Sequence, residues 1–199
     1  MGRKLDIKQL TDQDIIASLY YSQLLMAVIG LLFYWLLFPT EENLFDFWRW
    51  DGSDVLIYGV LLSIGIAVLE IALEMFLPND WLDDGGINDR MIRALSMRHM
   101  WLAMLVVAFV EEGFFRALLQ TTYGLVVASF CFGLVHVRYI KRPLLIIVAI
   151  LLGFYLGWLF QYTNSLWVPI AAHYTINVGL ALYVKHEEKW GKEGTDHDG

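Results

Sequence analysis

The sequence predicts an all-α membrane protein, a polytopic bundle of about six transmembrane helices. Three observations carry that prediction. Hydrophobic residues make up 58% of the 199-residue chain and the mean hydropathy is +0.53, more apolar than a soluble domain of this size. The apolar residues are gathered into long runs. Lys and Arg alternate between the connections, as a polytopic protein requires.

The first run, residues 15–38, contains no Asp, Glu, Lys or Arg. As a helix it reaches about 36 Å, enough to cross a hydrocarbon core of about 30 Å. It is too long for the apolar core of a signal peptide and no small-residue cleavage site follows, so it reads as a retained anchor. Five further runs cover residues 55–77, 100–119, 123–137, 144–160 and 166–184. The fourth is short and suits the inside of a bundle better than a lone span. Pro39 and Pro78 follow the first two runs and Pro143 precedes the fifth. Thr163-Asn164-Ser165 offers an N-cap before the sixth. The turn between the third and fourth runs is expected near Thr121 or Thr122. In the second connection, Asn88 is a candidate cap for a short helix that sets Arg90 and Arg93 against Met91, Ile92 and Leu95. Such a segment suits the headgroup region, or serves simply as a connector. There is no internal repeat and no room for a separate soluble domain, so residues 1–199 read as one membrane domain with a polar tail over 185–199.

Charge supplies an orientation. Three basic residues precede the first span (Arg3, Lys4, Lys8), one follows it (Arg49), and three lie in the second connection (Arg90, Arg93, Arg98). The third connection has none, the fourth three (Arg138, Lys141, Arg142), the fifth none and the tail three (Lys185, Lys189, Lys192). This alternation places both termini on the cytoplasmic side of a cell inner (plasma) membrane. A net charge of −7 does not suggest a nucleic-acid partner. Cys131, the single cysteine, makes no internal disulfide and reads as a small apolar filler.

The polar residues left inside the spans carry the functional information, because a charge at mid-membrane costs about 3 kcal/mol or more and needs a partner and a job. In the third span, Glu112 and Arg116 are four apart with the acid first, the favourable order for an ion pair on one helical face. Glu111 points about 100° away and has no partner in its own helix. In the fourth span, Phe132 and His136 share a face. In the sixth, His173 and Asn177 do the same, with Trp167 and Pro169 just upstream. Glu70 and Glu74, near the cytoplasmic end of the second span, are expected to pair with Arg90 or Arg93. Gly153 and Gly157 form a GxxxG, read as close helix packing.

Glu111-Glu112-x-x-x-Arg116, Phe132-x-x-x-His136 and His173-x-x-x-Asn177 occur in this order on three spans, with one helix intervening between the last two. The set resembles the CPBP family, the CAAX-protease and bacteriocin-processing (Abi) intramembrane proteases, whose signature is EExxxR, FxxxH and HxxxN or HxxxD. The stretch SLWVPIAAH at residues 165–173 is also similar to that family's last motif. The resemblance implies a glutamate-type intramembrane endopeptidase acting on a membrane-associated peptide or protein. Carried over, Glu111 is the general base, His136 assists it, and His173 with Asn177 holds the oxyanion. Glu112 and Arg116 orient or balance the first glutamate, and Gly113 lets a peptide backbone approach. The implied mechanism is metal-free. Two Glu and two His are also a possible zinc ligand set, although no HExxH is present. The rival readings are a non-catalytic membrane immunity factor and a small ion-coupled transporter using the same residues as a proton relay. One geometric demand follows. From a turn near Thr121 or Thr122, Glu111 lies about 15 Å away and His136 about 21 Å, an offset that a tilt or a break must absorb.

The orientation is checked by labelling single cysteines in a Cys131→Ala background. An impermeant thiol reagent added outside is expected to modify a cysteine placed at Asn43 and spare one placed at Lys141. The reverse pattern sinks the six-span topology.

Overall fold

The computed structural model describes residues 10–78, 81, 85–136 and 142–196, with side chains through 188. The described residues form an all-α bundle. Helix α1 is Asp12–Leu37. Thr11 and Asp14 close a reciprocal capping box at its start, which satisfies two N–H groups that the helix itself leaves unpaired. A 3₁₀ turn at Leu44–Trp48 leads into α2, Gly52–Phe76. Asp51 caps α2, and the Ser53 hydroxyl followed by the Asp54 and Ser53 N–H groups holds its carboxyl below the usual range. Then come α3 (Ile87–Ala94), α4 (Met97–Glu112), a π-helical stretch at Gly113–Gln120, and α5 (Thr121–Leu134). Helix α6 is Pro143–Thr163 and α7 is Trp167–Asp196.

Among the described residues, four helices are long and apolar enough to cross a membrane: α1, α2, α6 and Trp167–Glu188 of α7. The third and fourth predicted spans fall outside that set for identifiable reasons. The stretch from α4 to the end of the π-helix carries Arg98, Glu111, Glu112 and Arg116, and α5 has only 14 residues. These are the segments whose polar groups are turned inward.

Polarity is inverted relative to a soluble protein. Leu24, Leu31, Trp35, Leu56, Val68, Leu102, Val126 and Leu151 are exposed, while Gln23, Glu112, Arg116, Gln120 and His173 are buried. So much apolar surface is unstable against water and natural against lipid, and the chain is an integral membrane protein.

Helix α7 is central, packing against α2, α3, α4 and α6. The α5–α6 pair is closely apposed, because Cβ atoms at Gly153 and Gly157 would strike opposing atoms. One at Gly153 would come within 2.9 Å of the Ser129 carbonyl oxygen. Hydrogen bonds between Ser63 and the Tyr155 hydroxyl (2.9 Å) and between Tyr20 and His99 (2.7 Å) add polar ties between helices.

Several local expectations are corrected. The chain breaks at Gly124, at φ 85° and ψ 168°, later than Thr121 or Thr122, because this backbone conformation is one that only glycine adopts cheaply. The short helix α3 forms, but its cap is Gly86 at φ 72° rather than Asn88, which lies within the helix. Its apolar face is tucked into the core through Met91, Ile92 and Leu95. Lys185 Nζ donates to the carbonyls of Arg93 and Leu95 and so ties the end of α3 to α7. Asn164 terminates α6 in the left-handed conformation (φ 47°) instead of capping α7. Ser165 donates its hydroxyl to the Arg49 carbonyl at 2.7 Å. Helix α7 continues to Asp196, so the polar tail remains helical through that point. Arg3, Lys4, Lys8, Arg138 and Lys141 lie outside the described residues, as do the side chains of Lys189 and Lys192.

A Cβ at Gly157 would lie 2.6 Å from Gln120 Oε1 and 2.9 Å from Arg116 Nη1, while one at Gly65 meets nothing within 4 Å. Gly157→Ala is therefore expected to destabilise the protein by about 1–3 kcal/mol, read as a lower unfolding temperature in detergent. Gly65→Ala should match or exceed the parent. Equal stability of the two variants would show that the contact with Arg116 and Gln120 does not constrain residue 157.

Candidate active site

The site begins where the α-helical ladder of α4 gives way to π-helix at Gly113. One-turn π insertions re-aim side chains and recur at functional sites. Here the change keeps three polar groups in line within the bundle. Arg116 Nε donates to Glu112 Oε2 at 2.8 Å, Arg116 Nη1 to Gln120 Oε1 at 3.2 Å, and Gln120 Nε2 to the Gly157 carbonyl at 2.8 Å. Glu112 and Arg116 are fully buried. The guanidinium also lies 5.3 Å from the centre of the Phe132 ring, a favourable cation–π placement. The i,i+4 ion pair expected from spacing is thus present, extended by a glutamine that spacing did not single out.

Glu112 has a second partner. Its Oε1 is 2.8 Å from His173 Nδ1, so this carboxylate joins the EExxxR motif of α4 to the HxxxN motif of α7. His173 Nε2 lies 4.0 Å from Glu111 Oε2. One ring nitrogen of the imidazole is thereby held by Glu112 and the other lies toward Glu111. The Phe132 ring packs edge-on to His173, with centroids 5.8 Å apart.

Glu111 has no partner in its own helix, as spacing predicted. Its partner comes from α1: Gln23 Nε2 donates to Glu111 Oε1 at 3.0 Å. Gln23 was not singled out from the sequence. The signal was there, since Gln23 is the sole Asn, Gln, His, Asp, Glu, Lys or Arg in residues 15–38.

His136 follows the end of α5. Its Nδ1 is 2.8 Å from the Phe132 carbonyl oxygen. A carbonyl only accepts, so Nδ1 carries the proton at this contact. The later break relieves the expected depth offset. Glu111 precedes Gly124 by thirteen residues and His136 follows it by twelve, about 20 and 18 Å of helix.

One cavity of about 630 Å³ is lined by Glu111, His136, His173 and Asn177 together, and by Gln23, Phe132, Glu70 and Glu74. The four sequence-predicted residues thus open on a common space. Glu112 and Arg116 lie behind it. Gly113 is outside the lining, and a Cβ there would meet nothing within 4 Å. Arg90 bonds Asp12 (2.9 Å) and Arg93 pairs with Asp89 (3.7 Å); among the described residues the expected pairing with Glu70 or Glu74 is not made, and both glutamates line the cavity. Among the described residues, no group of three or more His, Cys, Asp or Glu is arranged to hold a metal ion.

Removing one partner of a buried ion pair strands the other charge, at a cost of about 3–5 kcal/mol. Arg116→Ala is expected to lower folded yield and thermal stability by that order. Arg116→Lys, which keeps the charge but loses the forked geometry, should lose less. An Arg116→Ala variant as stable as the parent would mean that Glu112 is neutralised some other way.

Residues 93–179 match the family model of the Rce1-like type II CAAX prenyl endopeptidases. The uncharacterized protein YpbD of Bacillus subtilis (strain 168) is 34% identical over 161 residues, covering 81% of this chain and 83% of that protein. No solved structure matches. With the three motifs and the family model in agreement, the chain belongs to the Rce1-like CAAX-protease (CPBP) family.

Proposed function

We propose that this protein is an intramembrane endopeptidase that hydrolyses a peptide bond of a membrane-associated peptide or protein with a water activated by Glu111. The observation that carries the reading is the convergence of Glu111, His136, His173 and Asn177 on one cavity. The water lies between Glu111 and His136, donating one proton to the carboxylate and one hydrogen bond to the His136 Nε2 lone pair. As Glu111 takes its proton, the oxygen attacks the substrate carbonyl carbon and the carbonyl oxygen becomes an oxyanion. His173 Nε2–H and the Asn177 amide donate to that oxyanion, where oriented donors in a dry site are worth most. The intermediate collapses with cleavage of the C–N bond. Glu111 returns the proton to the leaving nitrogen, giving a carboxylate and an amine.

For His173 to donate at Nε2 while Nδ1 is held by Glu112, its ring must carry both protons. Charge balance supports this state. Arg116 offsets one of the two carboxylates, and an imidazolium at His173 offsets the other, leaving the buried quartet neutral. Glu112 is then the residue that orients His173, and Arg116 keeps Glu112 ionised. The mechanism is metal-free.

The same reading includes six spans with both termini cytoplasmic in the plasma membrane. The charge alternation supports it, and the aromatics mark one membrane interface. Trp48, Trp50 and Trp167 cluster with centroids 5.3 and 5.5 Å apart, next to turns expected to face outward, as interfacial aromatics do.

The test uses the full chain in proteoliposomes with two internally quenched probes, a peptide with a farnesylated CAAX end and its unlipidated counterpart. A profile of peptides released from host membranes accompanies them. Glu111→Gln and His136→Ala are expected to abolish cleavage while the protein inserts and stays folded. Asn177→Ala should lose about 10²–10³ in kcat with little change in KM. Activity should survive dialysis against a chelator, and zinc-restored activity after such dialysis overturns the metal-free mechanism. Full biological function in a well-expressed Glu111→Gln variant favours a non-catalytic role.

A further inference from the structure

Gln23 is 6% exposed and lines the cavity. Its Nε2 is committed to Glu111 Oε1 at 3.0 Å. Its Oε1 is buried and has no hydrogen-bond partner among the described residues. In the base form that the proposed mechanism requires of Glu111, turning the amide over would set two oxygens face to face at 3.0 Å. An acceptor left unsatisfied in a bundle interior is costly, and Gln23 stands in the cavity wall, so a small shift of its side chain would let a donor bound in the cavity satisfy this atom.

The attacking water is not that donor. It has two protons, and the mechanism above assigns one to Glu111 and the other to the His136 Nε2 lone pair. The other donor delivered by the reaction is the substrate itself. An extended peptide brings one N–H per residue, and at membrane depth each must find an acceptor within the protein. We propose that Gln23 is a substrate-binding residue whose side-chain carbonyl accepts a hydrogen bond from a backbone N–H of the peptide. This rests on the peptidase reading of the same cavity. It makes α1, which lies outside the residues matched by the family model, part of the site. It also registers the peptide backbone against Glu111, because both contacts are made by one rigid amide. The recognition is of backbone rather than side chain, so it favours extended peptides without selecting their sequence.

The test is an ester scan on the two probes named above, with the full chain in proteoliposomes. Each backbone amide is replaced in turn by an ester, which removes one N–H and keeps the shape. Equilibrium binding is read by fluorescence anisotropy. Binding is preferred to turnover because Gln23 substitutions also free Glu111. One ester position is expected to weaken binding to the parent about tenfold. Gln23→Met should weaken binding of the all-amide peptide by a similar factor, and the sensitive ester should cost nothing further in that variant. Independent, additive losses from ester and variant overturn the proposal. If Gln23→Met does not fold, the parent alone decides, since a scan with no sensitive position also overturns it. Failure of both probes to bind the parent does the same, and leaves the peptidase reading to the host-membrane peptide profile. Binding without cleavage sinks the peptidase reading while the ester scan still judges Gln23.

Discussion

Charge placed inside lipid must be neutralised where it stands, and the chain of contacts from Arg116 through Glu112 to His173 meets that demand. Every other feature of the site is arranged around it. The π-helical stretch after Gly113 keeps Arg116 and Gln120 in line with Glu112. Gly157 leaves room for the guanidinium and for Gln120, whose amide ends the chain on the Gly157 carbonyl. Phe132 supplies an aromatic face to both the cation and His173. An ion pair of this kind contributes little net stability, because desolvation consumes most of its attraction. What it confers is placement: α4 and α7 dock in the register that brings Glu112 to His173.

The bundle around this cluster is apolar on both its core and lipid faces, so burying side chains cannot by itself select one packing over another. Small residues and polar ties do that work instead. Gly59 lies where a Cβ would be 2.9 Å from Ala171, and Gly133 packs directly on Ile150. Ser63 meets Tyr155, and Tyr20 meets His99. At one end Lys185 and Arg90 bind backbone and acid groups of neighbouring segments. At the other, tryptophans gather around the docked 3₁₀ turn, where Trp167 Nε1 donates to the Trp48 carbonyl. The division between a charged end and an aromatic end follows the division that the basic residues trace along the sequence.

The two glutamates at the head of the motif are neighbours with different surroundings. Glu112 is enclosed by Arg116 and His173. Glu111, about 100° around the helix, accepts a hydrogen bond from the Gln23 amide, lies 4.0 Å from His173 and opens on the cavity. Consecutive residues of one helix thus present one enclosed carboxylate and one that faces a cavity.

Much of this was legible in the sequence, because lipid imposes strong rules on composition. Long apolar runs, alternating Lys and Arg, and the cost of buried charge identified an all-α membrane bundle. They also picked out Glu111, Glu112, Arg116, His136, His173 and Asn177, and the four-residue spacing gave the Glu112–Arg116 pair. What tertiary structure decided was everything that depends on contacts between distant segments. The break at Gly124 rather than near Thr121 equalised the depths of Glu111 and His136, since one left-handed glycine outweighs the polarity of two threonines. Glu70 and Glu74 line the cavity, while Arg90 and Arg93 meet Asp12 and Asp89. Gln23 passed unnoticed because a single amide in an apolar run has no periodic pattern. Its meaning arises when α1 packs against α4 and closes a hydrogen bond to a carboxylate 88 residues away, a juxtaposition that no local spacing encodes.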